Sequence, residues 1–273
     1  MPKDFIVEVR RQDGPRQGGY RQRFRVPYER DMNVISVLQK IASMGRDIDG
    51  KATPPVAWEC NCLEEICGAC TMVINGRVRQ ACTALVDQLL TEGDVIRLEP
   101  MSKFPVIRDL VVDRSRIFGM LKRIQAWVPV DSYLDMGPGP RQPQEQQELA
   151  YMLSKCMSCG CCMEACPQFL KIELIRRPGE SEDEFRRREA EECSRAFIGA
   201  AGVAQIDLFN TNPIGAMNKR GRLDVLIGEG GIQNCGNAQN CVKVCPKEIP
   251  LTHSIGRMGR AATIHMLRNW FDR

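Results

Sequence analysis

The sequence predicts an α+β chain of 273 residues with two domains, the first mixed and the second mostly helical. Two patterns predict this class. Short runs in which apolar and polar residues alternate are confined to the first half, whereas later apolar residues recur at helical spacing. A third observation is that most of the 14 cysteines lie in three clusters, one in the first domain and two in the second. Each domain is therefore expected to hold something that needs thiol ligands.

The first domain is predicted over residues 1–105 as a sheet with one helix. FIVEVR and RFRV alternate as a strand pair, separated by the turn-rich DGPRQGG. TMVI and RVRQ flank Asn75-Gly76, a strong hairpin signal, and DVIRLEP supplies a closing strand. DMNVISVLQKIASM has the spacing of a helix, with Asp31 or Asn33 as its N-cap.

Residues 106–144 are predicted as a helical connector, within DLVVDRSRIFGMLKRIQAWV, followed by a linker rich in Pro, Gly and Gln. The second domain is predicted over residues 145–273, with helices in QQELAYMLSKC, ESEDEFRRREAEECSRAFIGAAGVAQIDLF and GRLDVLIGEG. The charges of ESEDEFRRREAEE predict a solvated helix face. AFIGAAGVAQIDLF is broken by Gln205 and Asp207 and is too short to span a membrane.

Composition narrows the possible functions. MPKDFIVEVRRQDG lacks the apolar core of a secretory signal, so we expect a reducing compartment. There, clustered cysteines serve as metal ligands or catalytic thiols more often than as disulfides. The net charge of +4, without a basic stripe interleaved with aromatic residues, predicts no nucleic-acid partner.

The first cysteine cluster has the C-x4-C-x2-C spacing of a plant-type [2Fe–2S] site, followed by one more cysteine after the hairpin. Gly68 and Ala69 are small enough to let the backbone approach inorganic sulfide. Zinc is the alternative, but structural zinc sites usually pair two short knuckles. Cys60 is predicted to pack as a small buried residue. The predicted ligands are Cys62, Cys67, Cys70 and Cys82.

The second half contains two complementary runs. KCMSCGCCMEACP is the C-x2-C-x2-C-x3-C-P run of bacterial ferredoxins, and NCGNAQNCVKVCP has Ala238 where the first run has Cys159. In two-cluster ferredoxins the fourth cysteine of a run serves the other cluster. One cluster, a [4Fe–4S], then takes Cys156, Cys159, Cys162 and Cys245. The other has three thiolates, which indicates [3Fe–4S] on Cys166, Cys235 and Cys241, and leaves Cys60, Cys161 and Cys193 unligated.

CLEEICGAC, CMSCGCCMEACP and CGNAQNCVKVCPKEIP together resemble the iron–sulfur subunits of succinate dehydrogenase and fumarate reductase, over essentially the whole chain. The resemblance implies a plant-type ferredoxin (β-grasp) domain followed by a helical domain like bacterial ferredoxin. It implies electron transfer between a flavoprotein (FAD) subunit, which holds the dicarboxylate site, and quinone in a membrane anchor that can carry haem b. The chain would then be peripheral, held by these partners at the cytoplasmic face of the plasma membrane.

The resemblance places quinone at the anchor interface beside the three-iron cluster. Pro167, Gln168 and Lys171 become candidate quinone neighbours, with plain packing as the alternative. Ubiquinone-linked members have tryptophans after that proline and a histidine after the first cysteine of the second run. This sequence has Leu170, Lys171 and Gly236 there, and its loop CLEEICGACTMVING is similar to that of menaquinone-linked enzymes, which favours menaquinone.

Two alternatives accompany this interpretation. Within the family, the same subunit type serves a fumarate reductase working from quinol to fumarate. Outside it, the chain would be a soluble multi-cluster ferredoxin, although free shuttles tend to be smaller and acidic. His253 is predicted to be a surface or capping residue, with a proton-relay role as the alternative.

Overall fold

The computed structural model describes residues 3–15, 17–91, 93–129 and 140–271. It divides the chain into two compact units. The first unit is Met1–Arg114 together with Cys159–Glu164, and the second unit is Ser115–Ser158 together with Ala165–Arg273. Of the predicted linker, residues 136–139 lie outside the described ranges.

The first unit is built on a five-stranded mixed sheet in the order β2-β1-β5-β3-β4. β1 and β5 are parallel, and the other neighbouring pairs are antiparallel. All five predicted strands are present. Asn75 and Gly76 have φ of 49° and 78°, the two positive values that a type I′ hairpin requires. The strands are β1 (Asp4–Arg11), β2 (Tyr20–Pro27), β3 (Thr71–Ile74), β4 (Arg77–Gln80) and β5 (Val95–Glu99).

One helix, α1 (Val34–Met44), closes the core of this unit. It begins after Asn33, whose side chain accepts a hydrogen bond from the Ser36 N–H at 2.9 Å, so Asn33 rather than Asp31 is the N-cap. The side chains at the predicted helical spacing, Val34 through Ile41, are buried among the apolar residues of β1 and β2. A short helix, α2 (Val86–Leu89), follows β4.

The first unit runs past the boundary predicted at residue 105. The predicted helical connector begins with a small hairpin, β6 (Val106–Arg108) and β7 (Val111–Val112). Within the described residues 106–129, the one α-helix is α3 (Ser115–Arg123). Such short strands leave too few residues for a period to be recognised in the sequence.

A buried ion pair fixes this hairpin to the sheet. Asp109 lies in the turn and accepts a hydrogen bond from Arg11 Nε at 2.8 Å, and both side chains are fully buried. The same carboxylate accepts the backbone N–H of Gln12 at 3.1 Å and of Ala57 at 2.8 Å. Asp109 therefore ties the hairpin both to β1 and to the segment that leads into the first cysteines, which is why these residues belong to the first unit.

The second unit is helical, as predicted, and α7 lies at its centre in contact with α3, α4, α8 and α10. The long helix predicted over residues 180–209 is two helices with a break at 196–198. The charged α6 is mostly exposed and begins with a capping box between Ser181 and Glu184. The helices after α3 are α4 (Gln144–Ser154), α5 (Cys161–Glu164, in the first unit), α6 (Glu182–Arg195), α7 (Gly199–Thr211), α8 (Lys219–Ile227), α9 (Asn240–Lys243) and α10 (Leu251–Phe271).

Arg222 on α8 connects three backbone segments inside the second unit through hydrogen bonds. Its side chain is fully buried and donates to the backbone carbonyls of Gln125 at 2.9 Å, Trp127 at 2.8 Å and Gly215 at 2.5 Å. A guanidinium has five donors in a rigid fork, so a single side chain can satisfy several carbonyls that no strand or helix pairs. Among the described residues, none of the helices combines the length and apolar character needed to cross a bilayer.

Candidate iron–sulfur sites

The first cysteine loop, Cys62–Cys70, coils tightly because three of its residues adopt left-handed backbone conformations. Leu63, Glu65 and Gly68 have φ of 62°, 56° and 73°. Left-handed residues alternating with ordinary ones turn successive N–H groups toward one side of the chain, forming a concavity that suits anions.

Several of these N–H groups point at cysteine sulfur. Cys62 Sγ accepts the backbone N–H of Glu64 at 3.4 Å, of Ile66 at 3.2 Å and of Cys67 at 3.3 Å. These three bonds lower the pKa of Cys62 to about 7. Cys67 Sγ accepts the Ala69 N–H at 3.4 Å. The loop thus stabilises negative charge on sulfur before any metal is bound.

Cys82, after the hairpin, lies against the same loop. Burial is the main reason why the pKa of Cys82 is raised to about 12. A hydrogen bond with the Cys70 thiol and the nearby charges of Cys70 and Cys62 raise it further. The four predicted [2Fe–2S] ligands are therefore neighbours. Cys60 differs from its prediction, because its side chain is exposed rather than packed in the core.

A [2Fe–2S] cluster fits these residues, because an anionic cluster matches the concavity of N–H groups and the thiols that surround it. Within the described ranges, no three His, Cys, Asp or Glu side chains converge closely enough to hold a single metal ion. A cluster needs its ligands farther apart than a single ion does, since several irons and sulfides lie between them.

Arg114, the last residue of the first unit, supports the loop from outside. It donates to the carbonyls of Gly68 at 2.6 Å and Ala69 at 2.5 Å. Its Nε is buried and has no hydrogen-bond partner among the described residues. A donor of this kind is a candidate to face a bound cluster, because burial of an unpaired polar atom is otherwise costly.

A second buried contact joins the hairpin to the short segment that carries Cys159 and Cys162. Gln80, at the end of β4, is fully buried; its Oε1 accepts from Thr71 Oγ1 at 3.0 Å and its Nε2 donates to Cys161 Sγ at 3.3 Å. The Cys161 thiol in turn donates to Cys159, and this bond is the main reason why the pKa of Cys159 falls to about 7. Glu164 fixes the far end of the segment by accepting from Ser102 N and Oγ.

The predicted [4Fe–4S] ligands are divided between the units. Cys159 and Cys162 belong to the first unit, and Cys156 and Cys245 belong to the second. Ser158 and Gly160, on either side of Cys159, have φ of 52° and 88°. This segment therefore repeats the alternation of left-handed residues found in the first cysteine loop.

The three predicted [3Fe–4S] ligands come together in the second unit, where Cys166, Cys235 and Cys241 line one pocket. Ala238 lies in the wall of this three-cysteine pocket, between Asn237 and Gln239, whose φ of 52° and 59° curl the backbone around it. Burial raises the pKa of Cys241, and the nearby charges of Cys166 and Cys235 add to the rise. A cluster with three thiolate ligands fits the pocket, because its fourth side presents a methyl group.

Pro167 and Gln168 also line this pocket, but Lys171 does not. Lys171 Nζ forms an ion pair with Glu173 at 2.5 Å on the surface. Gln168 lies over Gly236, where a Cβ would come within 2.8 Å of Gln168 Nε2. Gly236 therefore leaves the space that Gln168 fills.

Sequence reasoning missed the side chains that hold the cysteine segments in place. Arg116 on α3 donates to the Leu170 carbonyl at 2.6 Å and stacks over the Phe169 ring at 3.7 Å, which anchors the segment after Cys166. Neither this arginine nor Gln80 and Arg114 carries a recognisable spacing relative to the cysteines. His253 is exposed near the start of α10, as predicted for a surface histidine.

Comparison with known proteins supports two iron–sulfur domains in this order along the chain. Residues 6–119 match a family described as 2Fe-2S iron-sulfur cluster binding domain, and residues 152–249 match a family described as 4Fe-4S dicluster domain. These matches confirm the predicted fold and favour iron–sulfur clusters over the zinc alternative.

Relatives match along nearly the whole chain. The succinate dehydrogenase iron–sulfur subunit of Bacillus subtilis is 47% identical over 267 residues, covering 98% of this chain and 95% of that protein. The fumarate reductase iron–sulfur subunit of Wolinella succinogenes is 30% identical over 76% of this chain and 77% of its own length. A solved structure, the Mycobacterium smegmatis Sdh1 complex in the apo form, contains a chain of the same fold, with a TM-score of 0.71 at 24% identity over 96% of both chains.

Proposed function

The chain belongs to the family of succinate dehydrogenase and fumarate reductase iron–sulfur subunits, and on that premise we propose that it relays electrons between a flavoprotein subunit and quinone in a membrane anchor. It is the electron-transfer subunit of an oxidoreductase. The observation that carries the proposal is the three-cysteine pocket with Ala238 in its wall, in a chain that also holds the [2Fe–2S] loop.

The overall reaction fixes what has to pass through the chain. Oxidation of succinate to fumarate releases two electrons and two protons, and reduction of quinone to quinol takes up two of each. When bound, the clusters supply one-electron carriers between those two sites. The chain's own residues hold the clusters by thiolates, direct N–H groups at the sulfur of Cys62 and Cys67, and keep Cys70 and Cys82 away from water. Both dicarboxylate chemistry and proton exchange with the substrate belong to the flavoprotein.

The ligand sets follow the spacing, and the neighbouring thiols described above support the [2Fe–2S] and [3Fe–4S] sets. We assign them as [2Fe–2S] on Cys62, Cys67, Cys70 and Cys82, [4Fe–4S] on Cys156, Cys159, Cys162 and Cys245, and [3Fe–4S] on Cys166, Cys235 and Cys241. The three-iron assignment depends on Ala238, because a methyl group cannot coordinate the iron that would complete a cubane.

The partners follow from the task. The chain would bind a FAD-containing flavoprotein and a membrane anchor that can carry haem b, and it would be peripheral at the cytoplasmic face of the membrane. Electrons have to reach a lipid-soluble acceptor, yet none of the described helices is suited to span a bilayer. The anchor therefore has to bring quinone to the chain.

The quinone would approach near the three-cysteine pocket, which Pro167 and Gln168 line. Gln168 supplies an amide that can hydrogen-bond a quinone carbonyl, and Gly236 gives that side chain its room. Lys171 lies four residues beyond Pro167 and is exposed, so it is proposed as an outer neighbour. Menaquinone is the proposed quinone.

The proposal is tested on the detergent-solubilised complex purified without oxygen. We expect the chain to co-purify with a flavoprotein and a membrane subunit, to contain about nine iron atoms per chain for the three cluster types, and to give the signal of an oxidised [3Fe–4S] centre in electron paramagnetic resonance (EPR). Cys241→Ser should remove that signal, and Cys193→Ser, at a cysteine outside the ligand sets, is the matched control. A wild-type complex without the oxidised-state signal would refute the three-iron assignment.

The second candidate is the reverse reaction within the same family. The similarity to a fumarate reductase subunit supports it, and the same cysteines would then carry electrons from quinol toward fumarate. Comparison of succinate oxidation with quinol-driven fumarate reduction by one preparation decides between them. A freely diffusing multi-cluster ferredoxin would instead purify without a flavoprotein.

A further inference from the structure

Arg114 donates to two consecutive peptide groups of the first cysteine loop. Its Nη1 donates to the Gly68 carbonyl at 2.6 Å, and its Nη2 donates to the Ala69 carbonyl at 2.5 Å. Both carbonyls lie in the stretch that joins Cys67 to Cys70, the proposed [2Fe–2S] ligands that are closest together in the sequence. A guanidinium suits this contact, because it presents several donors in a rigid planar fork.

The planarity of the peptide group fixes where the other ends of these peptides point. In a trans peptide, the carbonyl of one residue and the N–H of the next residue are antiparallel. Arg114 holds the Gly68 carbonyl, which turns the Ala69 N–H away from the guanidinium. That N–H donates to Cys67 Sγ at 3.4 Å. By the same rule, the hydrogen bond to the Ala69 carbonyl turns the Cys70 N–H away from the guanidinium.

In the part of the first unit that the structure describes, the positive charge of Arg114 is only partly compensated. Its Nε is buried without a hydrogen-bond partner among these residues. Glu59 Oε2 lies 3.6 Å from Nη2, beyond hydrogen-bond distance, and the Glu59 side chain is 48% exposed, so water screens its charge. Because opposite charges attract more strongly as either charge grows, this guanidinium favours an anion in the loop, and favours a more negative anion further.

The backbone that carries Arg114 is anchored. Arg114 follows β7 by two residues, and the buried pair of Asp109 with Arg11 ties the β6–β7 hairpin to β1. The Asp113 N–H donates to the Pro105 carbonyl at 2.8 Å. The guanidinium therefore reaches the cysteine loop from a fixed point, so its donors keep their orientation when the charge in the loop changes.

We propose that Arg114 raises the reduction potential of the [2Fe–2S] cluster by holding the amide donors between Cys67 and Cys70 toward the cluster sulfurs. Reduction adds one electron to the cluster and breaks no bond, so the reduced form carries one more negative charge. Hydrogen bonds to sulfur and net charge both set the potential of such clusters. Arg114 acts through the loop backbone and is therefore a positioning residue. The inference rests on the proposed ligation by Cys67 and Cys70.

The test is potentiometric titration of the intact complex, with the reduced [2Fe–2S] cluster followed by EPR. Arg114→Met removes the charge and all the donors of the side chain. The ratio of reduced to oxidised cluster at the wild-type midpoint should fall about fivefold, the effect of about one lost hydrogen bond, which corresponds to about 40 mV for a one-electron couple. Arg30→Met removes the same charge from an exposed position of the same unit and should leave the midpoint unchanged.

Arg114→Lys separates the orientation of the peptides from the charge. Lysine keeps the positive charge, but its single ammonium cannot reproduce a fork that pairs with two carbonyls. This variant should therefore recover less than half of the shift. In pulsed EPR after exchange into D2O, the coupling of exchanged amide deuterons to the reduced cluster should weaken in both Arg114 variants, because their peptides are no longer held.

Each outcome bears on the inference. An unchanged midpoint or an unchanged deuteron coupling in Arg114→Met, with the cluster signal intact, overturns it and leaves the ligation standing. A wild-type midpoint in Arg114→Lys shows that charge alone acts and overturns the positioning role, and this variant also decides if Arg114→Met does not retain the cluster. A wild-type complex with no [2Fe–2S] signal refutes the proposed ligation and the inference with it.

Discussion

Replacement of Asp109 by alanine should destabilise the first unit by removing the acceptor of three hydrogen bonds. The carboxylate binds Arg11 Nε at 2.8 Å and the backbone N–H groups of Gln12 and Ala57 at 3.1 and 2.8 Å. Arg11 would remain in place, because its other nitrogens donate to Gln22 and to the carbonyls of Pro54 and Pro55. The variant therefore leaves a buried guanidinium without its counter-charge.

Breaking a buried ion pair by removing one partner costs about 3–5 kcal/mol. That is a large fraction of the roughly 5–15 kcal/mol that stabilises a domain. With an m-value of about 4 kcal/mol/M for unfolding of a unit of this size by guanidinium chloride, the denaturation midpoint should fall by about 1 M. Asp109→Asn keeps the volume and one acceptor oxygen, so its loss should be smaller.

The assay is guanidinium unfolding of the purified chain under anaerobic conditions, followed by the visible circular dichroism of the [2Fe–2S] site. Asp49→Ala, at an exposed aspartate of the same unit, is the control and should unfold like wild type. A midpoint for Asp109→Ala within about 0.2 M of that control would correspond to less than about 1 kcal/mol. Such a result would show that the pair does not hold the hairpin and the Ala57 segment to the sheet.

Three further predictions concern the clusters and the second unit. Ala238→Cys completes the C-x2-C-x2-C-x3-C-P run, so the site should take up a fourth iron and lose the oxidised-state EPR signal of the [3Fe–4S] centre. The new cluster should have a lower potential and reduce quinone more slowly, and persistence of the signal would contradict the prediction. Cys67→Ser should abolish the [2Fe–2S] signal, whereas Cys60→Ser, in the same stretch but exposed, should keep it, and loss in both variants would reopen the ligand set. Arg222→Met leaves three carbonyls without their donor and should cost about 3 kcal/mol, seen as a fall of about 10 °C in the calorimetric Tm; a Tm equal to that of wild type would refute the role given to Arg222.

The parts of the fold that the sequence predicts are those encoded over short distances. Strand alternation, the Asn75-Gly76 turn and the Asn33 cap each depend on a few consecutive residues, and cysteine spacing is itself a local pattern. The cluster ligands remain predictions, although the structure brings two of the three sets of thiols together. What the sequence does not reveal are contacts between distant residues, such as Arg11 with Asp109 across 98 positions.

Two other differences have the same origin. The exposure of Cys60 depends on which side of its segment faces the core, and the spacing of the cysteines does not contain that information. Helix α10 was not predicted from the sequence. Gly256 and Gly259 have low helix propensity, and packing of the helix against α7 and α8 compensates for it.

The first unit includes Cys159–Glu164, which follow its other residues in the sequence by more than forty positions. The unit therefore cannot complete its folding until these residues have been synthesised. During synthesis, residues up to Arg114 emerge first, but Gln80 has no thiol to contact and the N–H groups of Ser102 and Lys103 have no carboxylate until Glu164 has been added. The earlier unit is thus finished only after part of the later one has left the ribosome. A chain shortened to residues 1–114 would lack both the Cys161 thiol that accepts from Gln80 and the Glu164 carboxylate that binds Ser102 and Lys103. A gene cut between the two family-matched regions would separate these partners.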